Sequence, residues 1–514
     1  MTATTDSLDH LPAPTLGNEI RGVRLLVLTI AVAAGMLLAA LDSNITATAM
    51  PTIVSALGGL GLYSWVFAGY ALASTTAMPL FGRLSDLYGR KQLYLGGMLL
   101  FVLASAACAG ANSMLVLILG RTVQGIGGAA IMALTFTLIA DLYPPDKRGQ
   151  VQGVTSSAWA ISAIVGPALG ALLVTTLGWR WVFLVNLPVS VLPIALIGWL
   201  LHEQPRQSSS RSVDVGGSVT LSASVLCLMF AALQAGNQHQ LVSPTIVVLV
   251  VASVLLLAGF VFLETRVPTP TVPLELFRIR MFFLGALASL VFGWVAFCVG
   301  VFVPLFAQGV LGGSALSAGA VLLPNTMGWS VAAAVAGPLV RPLGYRRMSL
   351  LGFGVLVLSE ILLVRLNVTS SLTEVAISMA LAGVASGILS PTLLLAIQNT
   401  VDPNQLGVAT SLAMFLRNIG YSVGVSVMGA MLAGGLASRL GGLAVNADAL
   451  VAAGATAGLD PAQAAQFHQA LAAALHDVFL FSLVVSVLGI ATAVGMTGWQ
   501  TQRAPSGERD GLLP

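Results

Sequence analysis

Charge is what this chain most lacks. Asp, Glu, Lys and Arg together make up 8% of its 514 residues, against about 25% in a typical soluble protein. So few ionisable groups cannot cover a large water-facing surface, which argues against sizeable soluble domains. The net charge is only +3 and is scattered, which argues against nucleic acid as a partner. Cysteine is scarce too. Cys108, Cys227 and Cys298 lie far apart in apolar segments, which predicts free buried thiols and offers no metal-ligand spacing. His10, His202, His239, His468 and His476 fall in tails, loops or span ends, so no histidine relay is expected inside the membrane. Lys91 and Lys147 are the only lysines and neither follows a P-loop pattern, which argues against an ATP motor. No metal and no cofactor is expected, and nothing points to an enzyme.

Long apolar runs are present instead. Crossing a hydrocarbon layer of ~30 Å takes about 20 apolar residues. Fourteen segments qualify: 24–51, 62–82, 92–111, 114–140, 149–176, 181–201, 215–235, 242–263, 281–310, 316–340, 348–366, 372–399, 405–436 and 477–498. The chain therefore reads as an all-α polytopic membrane protein. The first run is too long for a signal peptide and has no clear cleavage site, so it is expected to be a retained span.

Arginine and lysine set the expected orientation. Only Arg180, Arg365 and Arg439 fall on one side, and Arg121 and Arg417 lie within spans; the rest of the 22 Lys and Arg residues share the other side with both termini. By the positive-inside rule that side is cytoplasmic.

The chain also repeats itself. Gly82, Asp86 and Gly89 after span 2 are matched by Gly337, Arg341 and Gly344, 255 residues later. Arg148 and Gly149 open span 5 as Leu406 and Gly407 open span 13, and Gly125 in span 4 matches Gly387 in span 12. The repeats enter from the same side and are therefore parallel. They predict a six-span half over 24–201, two additional spans over 202–264 and a second half over 265–498. Tails are expected at 1–23 and 499–514, and an alanine-rich, partly helical external loop at 437–476.

The few polar groups inside spans are where function is sought. Asp42 lies outward of the membrane centre on span 1, and Arg121 lies at a similar depth on span 4. The pair is either a static ion pair or a proton site. Burial disfavours the carboxylate charge and a nearby arginine favours it, so an acid poised between the two can take up and release a proton as water access changes. Asn44, Gln124, Gln308, Asn325 and Asn418 are read first as interhelical hydrogen bonds; of these, Asn44, Gln124, Gln308 and Asn325, with Trp294, are candidates to line a substrate cavity. Phe292, Phe297, Phe302 and Phe306 crowd span 9 beside Trp294. Lipid-facing aromatics are the expected outcome, with an apolar drug site as the alternative. Glu360 is expected to reach the outer interface and pair with Arg365. Arg417 has no partner readable from the sequence.

Two glycine-rich stretches need a structural reading. Gly82 through Lys91 holds three cations and one anion in a tight turn, and Asp86 there suits a helix start. Gly166, Pro167 and Gly170 interrupt span 5, predicting a kinked helix that a neighbour approaches closely. Gly125 through Ala130 mimics a dinucleotide fingerprint but lies in mid-span with no preceding strand, so that reading fails.

These motifs resemble the major facilitator superfamily, in its fourteen-span drug:proton antiporter branch, over nearly the whole chain. Leu41-Asp42 with Pro51 resembles the span 1 motif, and residues 82–91 the loop motif after span 2. Arg121 through Gly125 resembles the span 4 motif assigned to proton coupling. Gly166, Pro167 and Gly170 resemble the antiport motif of exporters, departing from it at Ala171, where a second glycine is usual. Trp179, Arg180, Trp181, Phe183, Asn186 and Pro188 resemble a stretch frequent in this branch, as do Gln308 through Gly312 with Gly319 and Pro324. The resemblance implies that Asp42 carries the proton or a substrate cation and that Arg121 modulates it. It implies that Asp86 locks a cytoplasmic gate by capping span 13, with Arg90 reaching Asp141. Having no further embedded acids in the expected cavity favours monovalent or neutral cargo.

The expected function is proton-coupled export of lipophilic or cationic drugs across the cytoplasmic membrane by alternating access, by a monomer whose partners are protons, small amphiphiles and the bilayer. The alternatives are export of a lipid or amphiphilic metabolite on the same scaffold, and a membrane sensor or scaffold that moves nothing.

Overall fold

The computed structural model of the protein describes residues 22–58, 62–203, 215–238, 243–267, 270, 272–312, 315–440 and 461–496. Residues 1–21 of the expected N-terminal tail, the whole expected C-terminal tail and residues 441–460 of the expected external loop lie outside these. The described residues fold into helices and short connections with no strand. In order, they form α1 (Val23–Leu57), α2 (Tyr63–Tyr88), α3 (Arg90–Ala109), α4 (Met114–Leu142), α5 (Pro145–Thr176), α6 (Trp181–Leu184) and α7 (Asn186–Leu200). There follow α8 (Val215–Gln238), α9 (Pro244–Glu264), α10 (Arg280–Gly309), α11 (Ala315–Val364), α12 (Leu372–Gln398), α13 (Leu406–Leu440) and α14 (Pro461–Val494).

Ten helical stretches among the described residues are long and apolar enough to cross a membrane, and 161–176 and 219–231 add two shorter ones in α5 and α8. Helix α11, at 50 residues, would run ~75 Å unbroken, over twice a bilayer core. It is in fact two crossings, broken at Gly344, where φ is 76°. Together with α2, and with α6 and α7 forming one crossing, the fourteen expected spans are all present as helices. Serines close the starts of several: the Ser113, Ser243 and Ser371 hydroxyls accept the N–H of Val116, Ile246 and Glu374, the usual remedy for unpaired first-turn donors.

Helix α14 begins at Pro461, 16 residues before the span expected from 477. Residues 461–476 are rich in alanine, a strong helix former whose hydropathy is too modest to mark a span. Part of the expected external loop is thus the first turns of this helix.

The bundle has two halves. In the first, α1 packs on α4, α5 and α7, and α4 on α2 and α3; in the second, α10 packs on α12, α13 and α14, and α11 on α12 and α14. Each half has its own apolar interior, one around Tyr94, Phe101 and Leu134, the other around Phe353, Leu356 and Leu389. The halves meet along two seams, α2 against α13 and α5 against α11. Both lie toward the end of the bundle that carries Arg83, Arg90, Lys91, Arg148, Arg341, Arg346 and Arg347, hereafter the arginine-rich end. A third apolar cluster, including Met78, Phe136, Ile397 and Leu412, spans the junction there. Helices α8 and α9 pair with each other through Ser224 and Ser253, whose oxygens lie 3.2 Å apart. α8 leans on α13 and α2. Large apolar side chains such as Leu103, Trp199, Val248 and Leu255 stay exposed on the outer surface, as a lipid-facing perimeter requires.

Candidate functional site

The first candidate site is built where α1, α3, α4 and α7 meet. Asp42 is fully buried and forms an ion pair with Arg121, which is 1% exposed. The same guanidinium nitrogen donates to Gln124 Oε1 at 2.7 Å. Gln124 Nε2 donates to Asp42 Oδ1 at 2.9 Å and to Ser105 Oγ at 2.6 Å. Asn186 Nδ2 donates to the same carboxylate oxygen at 2.6 Å and to Ser105 Oγ at 3.1 Å. The guanidinium also lies over the Tyr70 ring, 4.5 Å from its centre, a cation–π contact strengthened by burial away from water. One cation and two amide donors thus converge on the carboxylate, which compensates its charge inside the bundle. In this conformation Asp42 has no exposed surface.

Helical spacing explains who meets whom. Arg121 and Gln124 are three apart and share a face of α4. Gly125, on the next position, meets the backbone of Tyr70 on α2, where an added Cβ would come within 3.0 Å of the Tyr70 Cα. That close approach sets the Tyr70 ring beneath Arg121. On α5, a Cβ at Gly166 would sit 2.6 Å from that of Asn44, and Gly170 faces Ile45 and Thr48 at 3.2–3.3 Å. Gly166, Pro167 and Gly170 thus lie on the helix that holds α1 and therefore Asp42.

The second candidate site joins the halves at the arginine-rich end. Asp86, near the end of α2, accepts the backbone N–H of Gly407 at 3.0 Å and of Val408 at 2.9 Å. It thereby caps α13 and complements the positive end of that helix. Arg90 is fully buried; it donates to Asp86 and to the Pro403 carbonyl, both at 3.3 Å, and forms an ion pair with Asp141. Gly82 lies against Gly407 and Ser411 too closely for any side chain. Gly89, with φ 98°, lets the chain reverse directly from α2 into α3. On the other seam Gly149 meets Gly337, and Gly153 meets Ala333. The motif of each half therefore contacts the repeat-related helix start of the other half: Gly82 on Gly407, Gly337 on Gly149.

Several members of these sites have no readable signal in the sequence. Glu203 accepts the N–H of Arg90 at 2.9 Å and of Lys91 at 2.8 Å, capping α3 from over a hundred residues away. Arg148 donates to Asn399 at 2.8 Å, Asn399 to the Tyr345 hydroxyl at 2.8 Å, and Gln152 to Gln398 at 2.7 Å. These hydrogen bonds knit α5 to α11 and α12. Ser105 and Tyr70 belong to none of the motifs, and Asn186 stands out only as part of one.

The candidate cavity residues do not converge. Gln124 lies in the Asp42 cluster. Asn44 donates to Ser162 on α5 at 2.8 Å. Asn325 donates to the Met379 carbonyl on α12 at 3.3 Å. Trp294 packs on Phe481, their ring centres 6.1 Å apart, and Gln308 is half-buried near the far end of α10. Two expectations are overturned. Phe292, Phe302 and Phe306 are 1%, 4% and 1% exposed, so they line the interior of the second half and do not face lipid; the Phe297 side chain lies outside the described ones. Glu360 is fully buried, neither of its oxygens has a hydrogen bond, and Ser482 on α14 is the nearby hydroxyl. It does not reach the interface, and Arg365, five residues on, lies exposed and unpaired with it.

The family model of the Major Facilitator Superfamily matches residues 32–425. Multidrug resistance protein 3 of Bacillus subtilis is 33% identical over 395 residues, 77% of this chain and 77% of its own. The multidrug transporter protein MdtP of the same organism is 33% identical over 397 residues, 77% and 73%. The MFS-type efflux pump LUC4 of a Fusarium species is 32% identical over 434 residues, 82% and 76%. The crystal structure of the human organic anion transporter MFSD10 superposes with a TM-score of 0.61 at 16% identity, covering 91% of this chain and 100% of that one, a likeness of fold. The chain belongs to the major facilitator superfamily and is a multi-pass membrane transporter, similar to multidrug efflux proteins, and not an enzyme.

Proposed function

We propose that this member of the superfamily exports lipophilic or cationic drugs and similar amphiphiles across the cytoplasmic membrane in exchange for protons, by alternating access, with the arginine-rich end facing the cytoplasm. The observation that carries the proposal is the buried carboxylate of Asp42, held by Arg121, Gln124 and Asn186. An acid so enclosed changes protonation only when the helices around it part. Adding a proton removes the charge that anchors Arg121, and the guanidinium keeps the Tyr70 ring as its remaining partner. Proton uptake and helix rearrangement are then one event.

The closed arginine-rich end supports the second half of the cycle. Asp86 on α13, Gly149 on Gly337 and the Arg148–Asn399 bond all hold that end shut. The described conformation is then one that cannot take cargo from the cytoplasm. Protonation of Asp42 from outside loosens the first half and lets this end open. Cytoplasmic cargo enters as the proton leaves. Moving one charge supplies ~2.3 kcal/mol per 100 mV, plus any pH gradient, enough for a modest concentration ratio.

The test is dye transport in everted vesicles with an imposed pH gradient, across dyes, antibiotics and lipids. Wild type accumulates one or more of these in response to the gradient, and Asp42→Asn does not. Full gradient-driven transport by Asp42→Asn removes Asp42 from proton coupling.

A further inference from the structure

Arg417 lies on α13, about eleven residues or ~16 Å in from the start of that helix at the arginine-rich end. It lines a small cavity between the two halves, with Phe136 of α4, Ser289 and Phe292 of α10, Ser390 of α12 and Met414 of α13. Its Nε is buried without a hydrogen bond. Among the described residues no carboxylate, carbonyl or ring partners the guanidinium, and the residue as a whole is only half-buried. Arg417 thus lines the cavity with a guanidinium available to whatever enters it. The helix itself is fixed: Gly293 of α10 lies directly against the Arg417 backbone, too close for any side chain there, and Asn418, next along, touches Met78 of α2 at 3.5 Å.

An arginine inside a membrane bundle ordinarily pairs with an acid or with backbone carbonyls. Arg121 and Arg90 in this chain do so; Arg417 does not. The cavity around it offers hydroxyls, Ser289 and Ser390, and otherwise aromatic and aliphatic carbon. A planar fork of donors beside hydroxyls and an apolar wall is complementary to a carboxylate, sulfonate or phosphate carried on an apolar body. The floor below is shut by Gln398, which bonds Gln152, Thr410 and the Phe136 carbonyl. A headgroup held by Arg417 would sit directly above this latch.

We infer that Arg417, with Ser390, forms an anion-recognition site in this small cavity between the halves, so that the cargo range includes amphiphiles bearing one anionic group. The inference rests on the export reading for its cargo, but the site itself is testable by binding alone. The probe is a fluorescent xanthene dye with a free carboxylate, compared with its methyl ester. Both are titrated onto the full-length purified protein in nanodiscs of zwitterionic lipid, read by anisotropy. Wild type is expected to prefer the carboxylate by about tenfold or more, the range of a charge-assisted hydrogen bond. Arg417→Leu and Arg417→Gln are expected to lose that preference and Arg417→Lys to keep part of it. Equal affinity of the two dyes for wild type, or a preference that survives in Arg417→Leu, overturns the inference.

A second set of nanodiscs containing phosphatidylglycerol separates the sources of the anion. Loss of the dye preference there assigns the site to a lipid headgroup; retention assigns it to soluble cargo. Both outcomes keep the anion site. Gradient-driven transport of the ester by wild type is measured separately in vesicles. Ester transport without any carboxylate preference sinks the anion site and leaves the export reading standing. A carboxylate preference with no transport of either dye does the reverse.

Discussion

Gly89 and Gly344 hold the same backbone conformation 255 residues apart, with φ, ψ of 98°, 149° and 76°, 160°. Each joins the second crossing of its half to the third with a single non-helical residue. That region of φ, ψ is open almost only to glycine and costs another residue about 1–3 kcal/mol. Both Gly89→Ala and Gly344→Ala are expected to lower the melting temperature of the purified transporter. Gly89→Ala should do more harm, because its Cβ would come 2.9 Å from the Glu203 carboxylate that caps α3. Thermal denaturation followed by size-exclusion fluorescence measures both. Equal losses would show that Glu203 shifts aside without cost.

Asp86 accepts two backbone N–H groups of α13 with its two oxygens. Asparagine keeps one acceptor and no charge. Hydrogen bonds to charged groups contribute about 1.5–3 kcal/mol, so Asp86→Asn should favour opening of the arginine-rich end by roughly 30-fold. A reporter cysteine at Ile397, buried in the apolar cluster that spans the junction, with Cys108, Cys227 and Cys298 replaced by serine, reads that opening through a membrane-impermeant thiol reagent. Labelling should rise in Asp86→Asn and rise again in Asp86→Ala. Unchanged labelling would make the Asp86 cap a folding feature with no part in the gate.

What the sequence disclosed follows from which quantities it encodes. Depth in the membrane is counted along the chain, so residue counting alone puts Asp42 and Arg121 at one level. Glycine spacing is also linear, so the repeat that pairs Gly82 with Gly337 is legible. Facing is not linear. Helix α7 could have turned Asn186 toward lipid, and only packing against α1 and α3 aims it at Asp42 and Ser105. The same gap misplaced Glu360: five residues from Arg365 is not a shared helical face, and α14 covers the carboxyl instead. It misplaced Phe292, Phe302 and Phe306, which face inward. Glu203 lies beyond any local window, since its partners are the N–H groups of Arg90 and Lys91. Arg417 is visible as an embedded cation, but the cavity it faces exists only once four helices are assembled.

The Glu360 carboxyl is buried with neither oxygen hydrogen-bonded. An unsatisfied polar group of this kind costs about 1–3 kcal/mol. Glu360→Met, similar in length and apolar, is expected to raise the melting temperature by several degrees, while Glu360→Gln, equally polar, is expected to leave it nearly unchanged. A lower melting temperature for Glu360→Met would mean that the carboxyl finds a partner, such as Ser482, in the dominant state.

The α5–α11 seam closes by backbone contact. A Cβ on Gly153 would lie 2.9 Å from the Ala333 carbonyl carbon, and one on Gly149 would lie 2.8 Å from that of Gly337. Backbone cannot yield as a flexible side chain can, so Gly153→Leu should prevent the arginine-rich end from shutting. Labelling at position 397 should then approach its maximum, and gradient-driven transport should be lost with the protein still folded and membrane-inserted. Normal transport by Gly153→Leu would mean that the seam opens and closes with slack.

A static strut and a proton carrier at Asp42 and Arg121 predict different double variants. Breaking a buried pair by removing one partner costs about 3–5 kcal/mol, because the remaining charge is left without compensation. Arg121→Gln alone should therefore destabilise strongly, stranding the Asp42 carboxylate. Asp42→Asn alone strands Arg121, though the Tyr70 ring 4.5 Å away offsets part of that loss. Combining the two leaves a neutral amide pair, with Gln124, Asn186 and Ser105 still available as partners, and should recover most of the melting temperature. If the pair only braces α1 against α4, transport recovers with stability. If Asp42 carries the proton, stability recovers and gradient-driven transport does not, while downhill movement of dye without a gradient persists. A double variant that regains full pH-driven export would end the case for Asp42 as the coupling acid.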